Sequence, residues 1–170
     1  MPKILETERL LLRSFTVNDA AFILQLVNTD TWLRFIGDRN IKSVEAAEAY
    51  LLNGPIKSYE LNGFGLSMVM LKDTNVPIGM CGVLKRDTLD APDIGYALLP
   101  EYEGQGYGTE IAGATLQYAF KTLGLKRILA ITLADNERSV KLLNKIGFRF
   151  KEIIEIESDD EQLMLFEALA

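Results

Sequence analysis

Histidine is absent from the 170-residue sequence, and cysteine occurs once, at Cys81. Without an imidazole the chain cannot use a histidine base, a histidine-containing triad or a histidine metal ligand. A single thiol excludes an intrachain disulfide, a CxxC redox pair and a cysteine-based zinc site. We therefore expect no metal site and no catalytic mechanism that depends on an imidazole or on a pair of thiols.

Long apolar runs are also missing. The first ten residues, MPKILETERL, carry charges where a signal peptide needs an apolar core, and no run approaches the roughly 18 apolar residues of a spanning helix. The chain has 18 basic and 24 acidic residues, and its net charge of −6 opposes nonspecific nucleic-acid binding and favours a cationic substrate. We expect a soluble, cytoplasmic protein with neither a membrane nor a nucleic acid as partner.

The residues that are present are typical of one globular domain. Hydrophobic residues make up 48% of the chain and charged residues 25%, which favours neither disorder nor a fibrous structure. No internal repeat and no linker divides the sequence, so residues 1–170 are predicted to form a single domain. The sequence leaves open whether that domain is a monomer or a homodimer.

The beginning of the chain predicts a strand followed by helices. Alternation of charged and apolar residues predicts a strand over Glu8–Phe15. A helix is predicted over Ala20–Val27, with Asn18 or Asp19 as its cap. A second helix is expected from Ser43 to about residue 61, interrupted near 54–55, and residues 31–40 between the two helices are expected to form a loop.

The remainder of the chain predicts a mixed sheet. Three antiparallel strands come first, followed by a helix, a buried strand, a second helix and two last strands joined by the acidic turn SDDE. The predicted bounds are Gly65–Leu71, Ile78–Arg86, Asp93–Pro100, Tyr107–Thr122, Arg127–Leu133, Asn136–Ile146, Phe148–Glu155 and Leu163–Ala168. The predicted fold class is mixed α/β: about seven mostly antiparallel strands, flanked by helices, with one helical crossover to a parallel neighbour.

A glycine-rich loop between a strand and a helix is the most informative segment. Glycine stands at positions 104, 106 and 108, immediately before the predicted helix. Glycines let the backbone turn tightly and let an anion approach its N–H groups, while the unpaired amides of a helix start favour negative charge. The segment therefore predicts a binding site for a diphosphate.

The spacing argues against the two commonest diphosphate ligands. A nucleoside triphosphate loop needs Lys-Ser/Thr after its last glycine, whereas Thr109-Glu110 follows Gly108. A dinucleotide fold needs G-x-G-x-x-G early in a βαβ unit, whereas this G-x-G-x-G follows an antiparallel meander.

The segment Gln105 to Glu110 resembles the coenzyme A loop of GNAT acetyltransferases, whose form is Q/R-x-x-G-x-G/A. Its first position falls on Glu103, which does not match, and an acidic group there is expected to weaken binding slightly. Three further blocks, TERLLLR, DIGYALLP and NERSVKLLNKIGF, are similar to the RimJ/RimL-like branch in order and spacing.

The resemblance implies a GNAT fold with strands splayed at the coenzyme, acetyl-coenzyme A as cosubstrate, and an amine acceptor. It places the diphosphate on main-chain amides of the glycine loop, and it pairs main-chain groups of Leu98 and Leu99 with the pantetheine arm. The coenzyme-binding residues it implies are Leu98, Leu99, Glu103, Gly104, Gln105, Gly106, Tyr107, Gly108, Thr109 and Asn136.

Three residues are candidates for catalysis: Asn136, Ser139 and Asp93. Asn136 is a helix cap in its simplest interpretation, and the resemblance also places it near the pantetheine or the acceptor. Ser139 matches a family position close to the leaving sulfur, where a hydroxyl could donate a proton to the thiolate. Many family members carry a tyrosine acid where this chain has Leu143. Asp93 is either a solvated strand-end carboxylate or a group that takes the proton of the amine.

Other candidates have an ordinary structural interpretation as well as a functional one. Cys81 is predicted to lie in the core, with an acetyl-cysteine intermediate as the alternative. Trp32 and Phe35 either line the acceptor pocket or cover the edge of the core. Arg138, like the lysines at 141 and 145, either forms a solvated helix face or reaches the 3′-phosphate of coenzyme A.

The predicted activity is transfer of an acetyl group to a primary amine by direct attack. Without a histidine or another evident strong base, an amine of low pKa is the expected acceptor, either an N-terminal α-amine of a protein or peptide or a small-molecule amine. Two alternatives remain at this point. One is a noncatalytic coenzyme A-binding or sensor domain of the same fold, and the other is a nucleotide-binding protein of unrelated fold.

Overall fold

The computed structural model describes residues 2–155 and 161–170, and its centre is one eight-stranded sheet. The strands are β1 Lys3–Glu6, β2 Leu10–Ser14, β3 Leu66–Leu71, β4 Pro77–Leu84, β5 Asp93–Leu98, β6 Arg127–Leu133, β7 Arg149–Glu155 and β8 Gln162–Leu169. The helices are α1 Ala20–Leu26, α2 Asp30–Phe35, α3 Val44–Leu51, α4 Lys57–Asn62, α5 Tyr107–Lys121 and α6 Glu137–Ile146.

The sheet runs in the order β1-β2-β3-β4-β5-β6-β8-β7, and among these described strands only β5 and β6 are parallel neighbours. Helix α5 forms the crossover between these two strands. Their pairing is confined to Asp93 opposite Leu129, although each strand continues beyond that point. The sheet therefore opens between the two strands, and main-chain groups along the gap lack the ladder partners that a parallel pair would supply.

Apolar side chains cover both faces of the sheet. Ile23 and Leu51 pack with Met68 in the cluster beneath α1 and α3, and all three are fully buried. Leu116 of α5 packs with Phe166 in the cluster on the opposite face. A third cluster contains Leu98 of β5 with Ile111 of α5. Successive strand residues alternate between faces, so the clusters place Ala97 on the α3 side and its neighbours Tyr96 and Leu98 on the α5 side.

The predicted fold class and most of the predicted elements are confirmed. The three-strand meander, the helical crossover and the helix after β6 lie where the sequence placed them, and a π turn at Leu52–Ile56 interrupts the helix that begins at Ser43. The count of about seven strands is low by one, because the four-residue edge strand β1 was not predicted. Part of the acidic turn, residues 158–160, lies outside the described residues.

One local prediction is wrong, and the predicted cap of α1 is right in position only. Residues 31–40 were expected to form a loop, but Asp30–Phe35 is a helix, whose cap Thr29 accepts a hydrogen bond from the Trp32 amide. Asp19, one of the two residues expected to cap α1, holds the N-cap position, but its side chain does not bond the first turn of α1. It instead closes the capping box of the 3-10 turn before α1, whose cap is Thr16. Asp19 also pairs with Arg13, with an N–O distance of 2.9 Å, so that this carboxylate serves both the turn and the sheet.

Within the described residues, no helix combines the length and the apolar character needed to cross a membrane. The same residues contain no group of three or more His, Cys, Asp or Glu side chains placed to hold a metal ion.

Candidate active site

A cavity of about 1140 Å³ lies at the opening between β5 and β6. It extends from the glycine loop at the start of α5 to the side chains of α2, α3 and α4 on the other face of the sheet. Of the predicted coenzyme-binding residues, those that line it are Leu98, Glu103, Gly104, Gly106, Gly108, Thr109 and Asn136. The predicted catalytic residues Asp93 and Ser139 line it as well, so the structure brings most of the candidates together.

The glycine loop has the backbone conformation that its composition predicts. Gly104 has φ of +74° and Gly106, the cap of α5, has φ of +84°, a region in which residues with a Cβ are strained. Within the described part of the chain, the amides of residues 104–109 have no hydrogen-bond acceptor, and no side chain caps the helix. The loop therefore presents a row of free N–H donors at the positive end of a helix dipole.

A polar network on the far side of the loop fixes its position. Arg9 donates from Nη1 to the carbonyl of Gln105 at 3.0 Å and from Nε to Glu110 at 2.8 Å, and its guanidinium lies 4.3 Å from the Tyr107 ring centroid. Thr7 also donates to Glu110, at 2.5 Å. No local pattern in the sequence predicts this long-range contact, although Thr7 and Arg9 belong to the block TERLLLR.

Gly108 lies where the helix approaches the sheet most closely. A Cβ added there would stand 3.1 Å from Leu142 Cδ1 and 3.4 Å from Tyr96 Cε2. Either contact is tight, so a side chain at this position would displace its neighbours or enter the cavity. The loop thus needs glycine at position 106 for its torsion angle and at position 108 for space.

Three predicted coenzyme-binding residues lie outside the cavity lining. Leu99 is buried in the core, its amide donates to Ile78 and its carbonyl accepts from Tyr102. Gln105 donates from its side chain to the Glu101 carbonyl, at 2.9 Å. Tyr107 faces Arg9. For Gln105 and Tyr107 only main-chain contact with a ligand is consistent with the positions of the side chains, and the main-chain groups of Leu99 already have partners.

The amide of Leu99 also indicates which β5 groups face the gap. Because it donates to β4, and because strand groups alternate between the two neighbours, the main-chain groups of Tyr96 and Leu98 face the gap toward β6.

Glu103 is the acidic residue that departs from the coenzyme-loop pattern, and an arginine counters its charge. Glu103 Oε2 accepts a 2.8 Å hydrogen bond from Arg138 Nη1 on α6. Arg138 was predicted either to be solvated or to reach a phosphate; its side chain is 63% exposed, and it also pairs with the glycine loop through Glu103. The pair leaves Lys141 and Lys145 as the α6 cations that line the cavity without a carboxylate partner in the described residues.

At the start of α6, Asn136 and Ser139 are joined as the capping pattern predicts. The Asn136 side chain accepts from the Ser139 amide at 3.3 Å, and the Ser139 side chain is almost fully buried. Tyr96 is its neighbour across the gap: burial raises the pKa of the Tyr96 phenol, and Ser139 partly opposes that rise. Tyr96 was not singled out from the sequence, although the two-residue period of the block DIGYALLP places it on the α5 side. Leu143 packs in the core.

Asp93 is not a solvated strand-end residue. Its side chain is 1% exposed, and both carboxylate oxygens accept from Arg86 Nε at 3.1 Å. Burial raises the pKa of Asp93 to about 6, although the Arg86 guanidinium opposes the rise. Arg86 follows β4 and has no recognisable motif, so only the fold identifies it as the partner. The site thus contains a carboxylate that titrates near neutral pH.

The side of the cavity away from the glycine loop is built from segments without recognisable motifs. Trp32 lines it and is 5% exposed rather than at the surface, so that it both covers the core and borders the cavity. Phe35, Arg39 and Tyr50 line the same region. Cys81 does not: it is fully buried beside Thr115, burial raises its thiol pKa to about 12, and the core interpretation fits it.

The family described as "Acetyltransferase (GNAT) domain" matches residues 9–149 of the chain. A Bacillus subtilis protein named uncharacterized N-acetyltransferase YoaA is 35% identical over 86% of this chain and 82% of its own. The crystal structure of an acetyltransferase from Agrobacterium tumefaciens covers 100% of this chain and 95% of its own, with 23% identity and a TM-score of 0.84. That of a ribosomal-protein-S5-alanine acetyltransferase from Vibrio fischeri covers 99% and 97%, with 22% identity and a TM-score of 0.76.

Proposed function

The chain belongs to the GNAT acetyltransferase family, and we propose that it transfers an acetyl group from acetyl-coenzyme A to a primary amine by direct attack in a ternary complex. The acceptor is an N-terminal α-amine of a protein or peptide, or a small amine of low pKa. One observation carries the proposal: the unpartnered amides of residues 104–109 border a cavity that continues into the gap between β5 and β6.

The coenzyme fits this site at both ends of the gap. Free amides at a helix start suit the oxygens of a diphosphate, and the absence of a side chain at Gly108 lets an anion approach the backbone. In the gap, main-chain groups of Tyr96 and Leu98 are available to a pantetheine arm as they would be to a strand. Leu99 is less suitable, because its amide is already bonded to β4. The coenzyme supplies the acetyl group as a thioester.

On the acceptor side, Asp93 takes the proton that the amine loses. The carboxylate lines the cavity, and with its pKa raised to about 6 it is ionised at neutral pH yet a stronger base than an ordinary aspartate. Freeing an amine of its proton at pH 7.5 costs about 4 kcal/mol for a lysine side chain but under about 1 kcal/mol for an α-amine. A weak carboxylate base is therefore matched to an acceptor of low pKa.

On the coenzyme side, Ser139 and Tyr96 provide hydroxyls near the expected position of the sulfur. Both residues line the cavity, and Tyr96 lies beside Gly108, where the coenzyme passes from the loop into the gap. A hydroxyl there donates a proton to the departing thiolate, a role that the core residue Leu143 cannot fill. No acyl-enzyme step is needed, because Cys81 lies outside the cavity lining.

The noncatalytic alternative rests on Leu143 alone, because the charge of Glu103 is countered by Arg138. A nucleotide-binding protein of unrelated fold disagrees with both the sheet order and the family match.

A steady-state assay of thiol release with a peptide panel tests the proposed function. The panel contains two kinds of peptide with otherwise the same sequence. In one the free N-terminal α-amine is the only amine, and in the other the N-terminus is blocked and a lysine side chain is the only amine. We expect release of coenzyme A with the free α-amine and much slower release with lysine. Binding of acetyl-coenzyme A without thiol release from any amine would favour the noncatalytic alternative, and equal rates with both amines would contradict the acceptor preference.

A further inference from the structure

Basic side chains predominate on the acceptor side of the cavity, although the whole chain carries a net charge of −6. The cations that line this side are Arg39, Lys57, Lys85 and Arg86, and the acids are Asp87 and Asp93. Arg86 and Asp93 neutralise each other through their ion pair. The remainder is three cations against one carboxylate, so the local charge is opposite in sign to that of the whole protein.

These cations are available to a ligand. In the part of the chain that the structure describes, Arg39, Lys57 and Lys85 form no ion pair, and Arg39 makes no side-chain hydrogen bond either. Arg39 and Arg86 both act on the phenol of Tyr50: burial raises its pKa, and the two guanidiniums oppose the rise. Of these two guanidiniums only that of Arg39 lacks an acidic partner in the described residues, so a free positive charge acts on a hydroxyl in the cavity wall.

Trp32 borders the same side of the cavity and is 95% buried. Its indole Nε1 has no hydrogen-bond acceptor among the described residues, but that atom is itself buried and is not presented to a ligand in the cavity. Trp32 therefore supplies an apolar wall beside the cations, and a carboxylate bound there would meet their lack of an anion.

We propose that the acceptor amine carries a carboxylate a few bonds from its reacting nitrogen, held by Arg39 with Tyr50 as a hydrogen-bond donor. The inference rests on the acetyl transfer proposed above and specifies its acceptor. Such a carboxylate belongs either to a free amino acid or to an acidic side chain in the first residues of a peptide. A polyamine is disfavoured, because it would bring further positive charge to three unpaired cations.

Acceptor peptides that differ only in charge test directly whether the site binds a carboxylate. Three peptides that begin with the same serine, followed by two glutamates, two glutamines or two lysines, are compared by kcat/KM at a fixed acetyl-coenzyme A concentration. We expect each step toward negative charge to raise kcat/KM about fivefold, the value of about 1 kcal/mol for one partly screened ion pair. Free glutamate against free glutamine, and spermidine, complete the panel and separate the free amino acid from the peptide.

Single substitutions in the protein show which side chain produces the preference for the acidic peptide. Arg39→Glu should abolish or reverse the preference for the acidic peptide, whereas Arg34→Gln should leave it unchanged. Arg34 is the matched control because it lies on α2 near Arg39, is 67% exposed, pairs with Asp135 and does not line the cavity. Equal kcat/KM for the three peptides, with rapid turnover of each, would overturn the acidic acceptor and leave the proposed acetyl transfer intact.

A binding experiment keeps the inference testable if no peptide is turned over. The N-acetylated acidic and neutral peptides are titrated into the protein saturated with coenzyme A. Tighter binding of the acidic peptide, lost in Arg39→Glu, would support the carboxylate site whatever the fate of the catalytic proposal. Indistinguishable binding of the two peptides would overturn it.

Discussion

Replacing Asp93 by Asn removes one titrating group from the site and leaves its shape almost unchanged. The ordinary pKa of an aspartate is 3.8, and burial raises that of Asp93 to about 6. This difference of about two pH units corresponds to about 3 kcal/mol between the two protonation states. The carboxylate is thus held in a site that disfavours its charge, and the substitution should affect both catalysis and stability.

The catalytic effect is a change in the pH dependence of kcat/KM. Below pH 6 the wild-type protein must lose one proton from the acceptor amine and one from Asp93, so log kcat/KM should fall with a slope of two. In Asp93→Asn only the amine titrates, and the slope should be one. At pH 7.5 we expect a loss of about hundredfold, the lower end of the range for a general base.

The substitution should lower catalytic activity, but as the pH rises it should favour the folded state relative to wild type. A carboxyl group whose pKa is higher in the folded than in the unfolded state stabilises the fold when protonated, and this contribution is lost as the pH rises through the folded pKa. Asn does not titrate. The free energy of unfolding of Asp93→Asn, relative to wild type, should therefore increase by about 1 kcal/mol between pH 5 and pH 7.5, measured by urea denaturation.

Asp90→Asn is the matched control for catalysis, since Asp90 lies in the loop that leads to Asp93, is 80% exposed and pairs with Arg127 outside the cavity. It should leave the slope of log kcat/KM unchanged. If Asp93→Asn kept the wild-type pH-rate profile, Asp93 would not be the base. If the stability difference did not vary with pH, the raised pKa would be wrong.

Two further predictions concern the coenzyme side. Tyr96→Phe keeps the ring beside Gly108, so the Kd of acetyl-coenzyme A should stay unchanged while kcat falls at least about tenfold, with a comparable fall in Ser139→Ala; an unchanged kcat in both variants would remove the proton-donor role. Arg138→Gln leaves Glu103 uncompensated and should weaken acetyl-coenzyme A binding about twofold to fivefold by calorimetry, whereas the double variant with Glu103→Gln should restore it. A double variant as weak as Arg138→Gln would show that the arginine contacts the coenzyme itself.

The sequence predicts those parts of the fold that depend on neighbouring residues. Glycine at 104 and 106 predicts positive φ, and Asn136 before an amphipathic segment predicts a cap, because each conclusion needs only a few adjacent positions. Helix α2 was missed although Thr29 is a recognisable cap, because Trp32 and Phe35 in a short segment were interpreted as loop aromatics. Strand β1 is only four residues long at the sheet edge, too short for a periodic signal.

The electrostatics of the site could not be predicted, since they depend on contacts between distant parts of the chain. Asp93 is a candidate base on its sequence position alone, but its burial and its partner Arg86 follow from the path of the loop after β4. Glu103 looked unfavourable until α6 placed Arg138 beside it. Arg39 and Tyr50 come from different segments, and only the packing of the helices on the sheet brings both to the cavity.

The most direct test of whether the glycine loop binds the diphosphate of the coenzyme is a calorimetric titration. Acetyl-coenzyme A is titrated into the wild-type protein and into the Gly106→Val/Gly108→Val double variant. Valine is strained at the positive φ of Gly106, and at Gly108 it would meet Leu142 and Tyr96. Gly113→Ala on the same helix, where a Cβ has only ordinary contacts, is the control and should bind like the wild type. We predict saturable heat for the wild type and the control and none for the double variant, with its fold verified by circular dichroism. Equal affinity of the folded double variant, or no heat with the wild type, would contradict the account.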